Sequence, residues 1–300
     1  HWAFQTPQRA ELPNVRNAAW ARNPIDAFIL SKLEKQGLSP APPASKETLV
    51  RRAYFNLIGL PPTPAEVKAF QEDKSPDAWE NLIDRLLESR HYGEKWARHW
   101  LDLVRFAETH GYERDNNKAH AWRYRDYVIK SFNEDKPYDR FVLEQLAGDE
   151  LILEAFNQDK PFMEAGDEGL IATGFYRLGV WDDEPDDKKV AEYDGLDDML
   201  RTTTETFLGL TTGCARCHDH MFHPISQKDY YSKLAYFRNV RNYAKPSDKG
   251  IILRSIDGGK ALSVSEHGSE SPETHLLIRG DAYRPEPVSY THLRAHETPE

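Results

Sequence analysis

Apolar residues recur every three or four positions along much of the chain, which is the spacing of one helix face. The first such stripe consists of Ile25, Phe28, Ile29 and Leu33, and Gly37 follows it as a stop signal. We therefore predict a short amphipathic helix in this segment, after an extended lead-in over residues 1–22.

Similar stripes predict a whole array of helices. Ser45 begins a second predicted helix, and Thr63-Pro64-Ala65-Glu66 has the sequence of a capping box at the start of a third. A fourth predicted helix follows Ser75-Pro76, and a tryptophan-rich one covers residues 92–109. Further helices are predicted over residues 122–133, 137–147 and 196–211. The predicted fold class is therefore mainly α.

Two segments break this pattern. Between residues 149 and 198 the composition turns strongly acidic, which predicts a solvated loop. Residues 246–287 lose helical spacing, and Ile251-Ile252-Leu253 and Leu276-Leu277-Ile278 have the character of short β-strands. We therefore predict a helical domain over residues 23–245, followed by the start of an incomplete second region over residues 246–287.

The last residues form a separate case. The sequence from Val288 to Thr298 resembles one reading frame of a transposase-based sequencing adapter. We therefore interpret residues 288–300 as an adapter artefact that does not belong to the natural fold. The natural protein is expected to continue past Pro287.

The composition of the chain limits the kinds of partner that it is expected to bind. The chain has 300 residues, 29% of them charged, and a formal net charge of -10. This acidic balance argues against nucleic acid or an anionic membrane surface as the main partner. No run of about 18 apolar residues occurs, so no membrane span is predicted.

The strongest chemical signal is Gly213-Cys214-Ala215-Arg216-Cys217-His218, which contains both cysteines of the chain. Cysteines three positions apart lie on one face of a helical turn, where two thiols can react with the two vinyl groups of one porphyrin. His218 is then adjacent to the iron as its axial ligand. The motif predicts one covalently attached haem c and electron transfer.

Other interpretations of the two thiols remain open, the simplest being a buried or incidental pair with no chemical role. They can form a redox disulfide, although a helical sequence leads into the motif. They can also bind zinc together with His220 and His223, which makes the chain a zinc-stabilised interaction domain. Zinc binding leaves the adjacency of Cys217 and His218 unexplained.

A haem iron has a sixth position on the face opposite His218. The sequence offers Met199, Met163, His110 and His120 as candidates and favours none of them. A methionine ligand raises the reduction potential and a histidine lowers it.

A rival function uses a different set of residues. His99, Asp102, Glu108 and His110 follow one another around the end of the tryptophan-rich helix. They predict either a hydrogen-bonded network between helices or the catalytic cluster of a hydrolytic or carbohydrate-processing module.

Calcium is a further candidate ligand. Its carboxylate and imidazole donors would come from two segments that flank the cysteine motif. The donors are Asp197, Asp198, Asp219, His220 and Asp229. The alternative is that these side chains cap helices.

Several segments resemble the planctomycete-type cytochrome c domain family of unknown function. Among them are Asn23-Pro24-Ile25-Asp26, Gly59-Leu60-Pro61-Pro62, Tyr92-Gly93-Glu94-Lys95-Trp96, Gln145-Leu146-Ala147-Gly148-Asp149 and the cysteine motif itself. The likeness runs from the first residue to about residue 240. One departure is Met221-Phe222-His223-Pro224, where the family more often has a Lys and an Asp.

This resemblance implies a piece of a large exported protein with one haem at Cys214, Cys217 and His218. It also implies a periplasmic or extracellular location. The implied partners are other redox domains or cytochromes, within the same full-length redox or polymer-degrading chain. It implies no substrate.

Overall fold

The computed structural model describes residues 5–157, 166–241, 253–268 and 271–290. Within these ranges the chain forms ten α-helices and four short β-strands, so the predicted mainly α fold is confirmed. The chain divides into two compact units, residues 1–52 with 62–74 and residues 53–61 with 75–300. No helix in the described ranges combines the length and the apolar character needed to cross a membrane.

The helices follow one another with short connections. They are α1 (Pro24–Lys35), α2 (Lys46–Leu57), α3 (Pro64–Glu72), α4 (Ala78–Leu87), α5 (Arg90–Leu103), α6 (Ala121–Asn133), α7 (Tyr138–Asn157), α8 (Gly166–Ala172), α9 (Lys188–Leu208) and α10 (Gln227–Phe237). The strands are β1 (Leu253–Ile256), β2 (Gly259–Leu262), β3 (Thr274–Leu277) and β4 (Pro285–Tyr290).

The predicted capping signals form the helix starts of the first unit. The Thr63 side chain accepts the amide of Glu66, and the Glu66 carboxylate accepts the amide of Thr63, which is the predicted capping box of α3. At α1, Asn23 Oδ1 accepts the amide of Asp26 at 3.0 Å. These bonds satisfy amides that have no partner inside the helix.

The predicted apolar face of α1 is only partly correct. Ala27 and Leu30 are buried, whereas Ile25 is 69% exposed and Ile29 is 47% exposed. A stripe of apolar residues predicts a helix reliably, but the neighbours that the helix meets decide which side is buried.

The second unit has one aromatic core. It is formed mainly by α5, α6, α9, α10 and a 3₁₀ turn at Thr173–Arg177. α5 and α6 approach closely at Gly93, where a Cβ would lie 2.4 Å from the carbonyl oxygen of Ile129. The largest fully buried side chains include Tyr124, Phe175 and Leu196.

A polar network crosses this core. The Trp100 indole donates to Tyr124 Oη at 3.2 Å and to Gln145 Oε1 at 3.1 Å, and the Tyr124 hydroxyl also donates to Gln145 Oε1. All three side chains are buried, and burial raises the pKa of Tyr124. The network holds α5, α6 and α7 in a fixed arrangement because unpaired polar groups in a core are unfavourable.

Among the described residues, the acidic segment between residues 149 and 198 is the predicted loop only over residues 178–187, which carry Asp182, Asp183, Glu184, Asp186 and Asp187. α7 continues to Asn157 and α9 already begins at Lys188. Between them, residues Thr173–Arg177 and Leu178 are buried. The loop prediction was wrong for the rest of the described segment, because apolar side chains such as Phe175 and Leu196 are buried in the core there.

The C-terminal strands form two antiparallel pairs, β1 with β2 and β3 with β4. They pack on the helices, because Val264, Leu276 and Leu277 belong to the helical core. The predicted boundary near residue 245 therefore runs through a continuous core. Ile251 and Ile252 lie outside the described residues, as do residues 291–300, whereas the backbone of residues 288–290 continues β4.

Candidate functional site

The two cysteines lie on a short surface segment, residues 213–218, which we call the cysteine turn. It begins with a 3₁₀ turn at Gly213–Arg216 that follows α9. Cys214 and Cys217 are free and exposed, and His218 is exposed as well. Ala215 between them is fully buried. The turn is therefore anchored by Ala215 and presents both thiols and the imidazole to the surface.

The start of the cysteine turn is fixed by the end of α9. Gly209 takes up a left-handed conformation, with φ 63°, and ends the helix. The hydroxyls of Thr204 and Thr212 are hydrogen-bonded at 2.8 Å, and both side chains are buried. A Cβ at Gly213 would lie 2.7 Å from Arg201 Nε, so only glycine fits there without a shift of that side chain.

Arg216 holds the middle of the cysteine turn. Its guanidinium lies 2.7 Å from Asp194 Oδ1 and 3.7 Å from Asp197 Oδ2, two carboxylates of α9. Its carbonyl oxygen accepts the Tyr231 hydroxyl at 3.0 Å and the Gln227 side-chain amide at 2.9 Å. The side chain of Arg216 thus pairs with α9, and its carbonyl oxygen is hydrogen-bonded to α10.

The Asp197 carboxyl is shielded within this contact. Burial raises its pKa, and the hydrogen bond from the Tyr230 hydroxyl, 2.5 Å long, opposes that shift. Nearby Arg216 also favours the charged form. Asp197 is therefore occupied by protein contacts.

The tautomer of His218 is set by the backbone. His218 Nδ1 lies 2.8 Å from the carbonyl oxygen of Asp219. Because a carbonyl oxygen only accepts, Nδ1 carries the proton of the neutral ring. Nε2 then keeps its lone pair, which is the state in which imidazole binds a metal.

The ring of His220, unlike that of His218, is used for structural hydrogen bonds. Its Nδ1 accepts the backbone amides of Phe222 at 3.1 Å and of His223 at 3.0 Å, so this nitrogen is occupied. Its Nε2 lies 3.4 Å from the Thr211 hydroxyl. His220 therefore shapes the loop after the cysteine turn. The tip of this loop is Met221 and Phe222, which are 76% and 78% exposed.

The zinc hypothesis needs four side chains to converge. In the part of the chain that the structure describes, no three His, Cys, Asp or Glu side chains are grouped as metal ligands. His220 Nδ1 already accepts two amides. The arrangement gives the four proposed zinc donors no common centre.

The four residues of the hydrolytic hypothesis have separate surroundings. The ring of His99 lies 5.5 Å from that of Trp96, and Asp102 is exposed. Glu108 pairs with Arg125 at 3.0 Å. His110 is 4% exposed and its Nδ1 lies 3.2 Å from Asp183 Oδ1, although the angle does not make a regular hydrogen bond. These contacts do not bring the four residues into one site.

The calcium candidates are likewise divided among structural contacts. Asp198 pairs with Arg105, Asp229 forms the capping box of α10 with Ser226, and the Asp219 carboxylate accepts the amide of Gln227. Helix capping, the alternative that the sequence left open, therefore accounts for Asp219 and Asp229.

The candidates for the sixth haem ligand lie in different environments. Met199 and His110 are buried, at 1% and 4% exposure. His120 precedes α6 with a left-handed backbone, φ 65°. Met163 lies outside the described residues. The described positions favour none of these residues.

The supports of the cysteine turn were missed at the level of sequence. Asp194, Gln227 and Gly280 each contact the turn from a distant part of the chain. Asp194 has a charge opposite to that of Arg216, but so do many other carboxylates of the acidic segment. The sequence therefore does not single out Asp194. Gln227 and Gly280 have no local signal, because only the tertiary fold brings them to residues 213–218.

Comparison with known proteins gives one family. Residues 24–242 match a family model described as PSCyt2, protein of unknown function (DUF1549). No curated protein and no solved structure gives a significant match.

Proposed function

The chain belongs to the PSCyt2 family (DUF1549), which is described as a protein of unknown function, and we propose that it is a c-type cytochrome domain. The observation that carries this proposal is the cysteine turn. Two free thiols and one imidazole with an available Nε2 are exposed together, on a turn anchored by a buried alanine. The donor set fits one covalent haem c.

In this proposal the thiols of Cys214 and Cys217 form the covalent links. They would hold the haem through two thioether bonds, each of which forms by addition of one S–H across one vinyl group, with no leaving group and no oxidant. Two exposed thiols without a disulfide have the chemical state that this addition requires.

His218 would supply the nitrogen that holds the iron in this proposal. Its Nδ1–H donates to the Asp219 carbonyl, which orients the ring and leaves Nε2 for the iron. His220 is unsuited to that role because its Nδ1 accepts two amides, so the proton of the neutral ring lies on Nε2. When bound, haem supplies one-electron chemistry.

The exposed position of the turn suits electron exchange with another protein. Met221 and Phe222 add exposed apolar surface next to the axial histidine, and such surface is typical of contact regions. We include in the proposal that the domain is exported, and that its partners are other redox domains or cytochromes of the same full-length chain.

The test is expression of the full chain together with a cytochrome c maturation system. We expect haem absorption that survives acid-acetone extraction and denaturing electrophoresis, because thioether bonds are covalent. The Cys214→Ala and Cys217→Ala variants should each keep one thioether and give a lower yield. A colourless protein that contains stoichiometric zinc would overturn the proposal and favour the zinc-stabilised alternative.

A further inference from the structure

A cavity of about 530 Å³ opens in the second unit next to α9. Its volume lies in the range of small-molecule sites. The lining combines charged and aromatic side chains, among them Arg105, His110, Lys118, Trp181, Asp194 and Asp198.

The cations of this lining are already matched within the protein. Arg105 forms a bidentate pair with Asp198, with N–O distances of 2.6 to 2.9 Å. Lys118 Nζ donates to the carbonyl oxygen of Leu178 at 2.6 Å and also to that of Gly179. His110 lies beside Asp183. Because the positive charges of Arg105 and Lys118 have protein partners, the cavity does not select an anion.

The carboxylates of the lining keep hydrogen-bonding capacity. The side chains of Asp194 and Asp198 are 57% and 41% exposed, although each is paired with an arginine. A carboxylate has about four acceptor positions, and Arg105 makes three contacts with Asp198, so at least one position remains on each carboxylate. The remaining positions can accept hydroxyl groups of a ligand.

Apolar and aromatic surface completes the lining. Tyr112 is half-exposed, and Trp181, Val180 and Leu178 line the same cavity. Aromatic side chains offer flat apolar faces with a polar edge. Such faces suit a ligand that has a C–H face and a rim of hydroxyl groups.

The wall formed by residues 105–120 has a defined, unusual backbone. Arg105, Asp115 and His120 all have positive φ, at 52°, 40° and 65°. The amide of Gly111 donates to Asp115 Oδ1 at 2.8 Å, which fixes the loop. Left-handed backbone at non-glycine residues is unfavourable and persists where the surroundings impose it, often at binding sites.

From these observations we propose that the cavity binds a neutral, hydroxyl-rich molecule of the size of a mono- or disaccharide. Asp194 and Asp198 accept its hydroxyl groups, and Tyr112 covers its apolar face. The site adjoins the cysteine turn through the pair of Asp194 with Arg216, but no residue of the turn lines the cavity, so this inference does not rest on the haem proposal.

The experiment titrates the full chain with glucose, galactose, N-acetylglucosamine, cellobiose and lactose, and with glucuronate as the anionic counterpart. Tryptophan fluorescence reports binding through Trp181, and calorimetry gives the stoichiometry. We expect one neutral sugar at least to bind one-to-one, about tenfold more tightly than glucuronate, whose charge the carboxylates of the lining repel. The absence of saturation by every neutral sugar up to about 50 mM overturns the proposal, as does equal binding of glucuronate.

Two neighbouring residues of α9 give a matched pair of variants. Ala191 lines the cavity, so Ala191→Phe should fill it and abolish binding. Val190→Phe adds a similar side chain at an exposed position that does not line the cavity and should bind normally. Equal binding by both variants contradicts the assigned site.

A second variant keeps the test decisive where Ala191→Phe does not fold. Tyr112 lies in an exposed loop, so Tyr112→Ala should leave folding intact and weaken sugar binding about tenfold. Unchanged affinity in this variant contradicts the proposed stacking and places the sugar elsewhere.

Discussion

The sulphur of Cys217 lies directly against the backbone of Gly280. A Cβ at position 280 would be 2.8 Å from Sγ, well inside the contact distance of two such atoms. Gly280 has φ 75° and lies in the turn between β3 and β4. The C-terminal strands therefore form one border of the cysteine turn.

The first prediction tests this border with Gly280→Ala. The new methyl group should displace the Cys217 side chain and slow its alkylation by iodoacetamide several-fold, while Cys214 is unaffected. Gly258→Ala is the control, because Gly258 has the same φ of 75° but no atom within 4 Å of its Cβ position. Both substitutions cost about 1 to 2 kcal/mol in backbone strain.

Peptide mass spectrometry of the alkylated apoprotein measures the two rates separately. If Gly258→Ala slows the alkylation of Cys217 as much as Gly280→Ala does, backbone strain and not the contact is responsible.

The second prediction separates the three histidines near the thiols. In haem-loaded protein, His218→Ala should abolish the low-spin spectrum because its Nε2 is the proposed axial donor. His220→Ala and His223→Ala should keep that spectrum. His220→Ala should lower the free energy of unfolding by about 1 kcal/mol, since its Nδ1 accepts two loop amides.

Visible spectra of the three variants at equal haem content provide the measurement. Equal loss of the low-spin bands in all three contradicts the assignment of His218.

The third prediction concerns the domain boundary near residue 245. The sequence pattern favours a stable unit that ends there, whereas the packing favours the opposite result. A chain stopped at residue 245 loses buried Leu262, Val264, Leu276 and Leu277, and with them at least about 5 kcal/mol of apolar burial. We expect it to melt far below the full chain.

The control is a chain that ends at residue 290, which keeps all four strands. Thermal unfolding and limited proteolysis compare the three lengths. If the chain of 245 residues melts as high as the other two, the boundary predicted from the sequence is correct.

The fourth prediction is a dependence of stability on pH. Burial lowers the pKa of Lys118 to about 8, with a smaller contribution from Arg105. Between pH 8 and the ordinary lysine value of 10.5, the unfolded chain binds more protons than the folded chain. The contribution of Lys118 to the free energy of unfolding therefore rises with pH in this window, by up to about 3 kcal/mol.

Urea unfolding at several pH values, with Lys118→Met as the comparison, measures this contribution. The variant should lack the rise, whereas Lys68→Met, which changes an exposed lysine, should keep it. A parallel pH profile for wild type and Lys118→Met contradicts the prediction.

Local signals in the sequence anticipated the parts of the fold that depend on neighbours in the chain. The Thr63 capping box needs only residues three positions apart, and it forms as predicted. The exposed side of α1 and the buried turn around Phe175 were predicted wrongly, because burial depends on distant partners. For Phe175 the acidic composition of the flanking residues concealed a short apolar segment.

The candidate site likewise has a part that the sequence predicted and a part that it did not. The spacing of Cys214, Cys217 and His218 identified the candidate motif, and the structure places all three on the surface. Their supports were not predictable, because Gln227 Nε2 joins Arg216 to the carbonyl of Leu277, which is 50 residues away. His110 was expected with His99, but its partner Asp183 comes from the acidic segment.

The hydroxyl contact between Thr173 and Ser263 has a consequence for the order of events during synthesis. The two side chains are buried and hydrogen-bonded at 2.7 Å, although 90 residues separate them. A ribosome synthesises the chain from the N-terminus. The turn Thr173–Arg177 therefore emerges from the ribosome well before the segment around Ser263 that covers this turn. Until that segment is synthesised, the nascent chain exposes an aggregation-prone stretch. Its dependence on chaperones should be greatest in that interval.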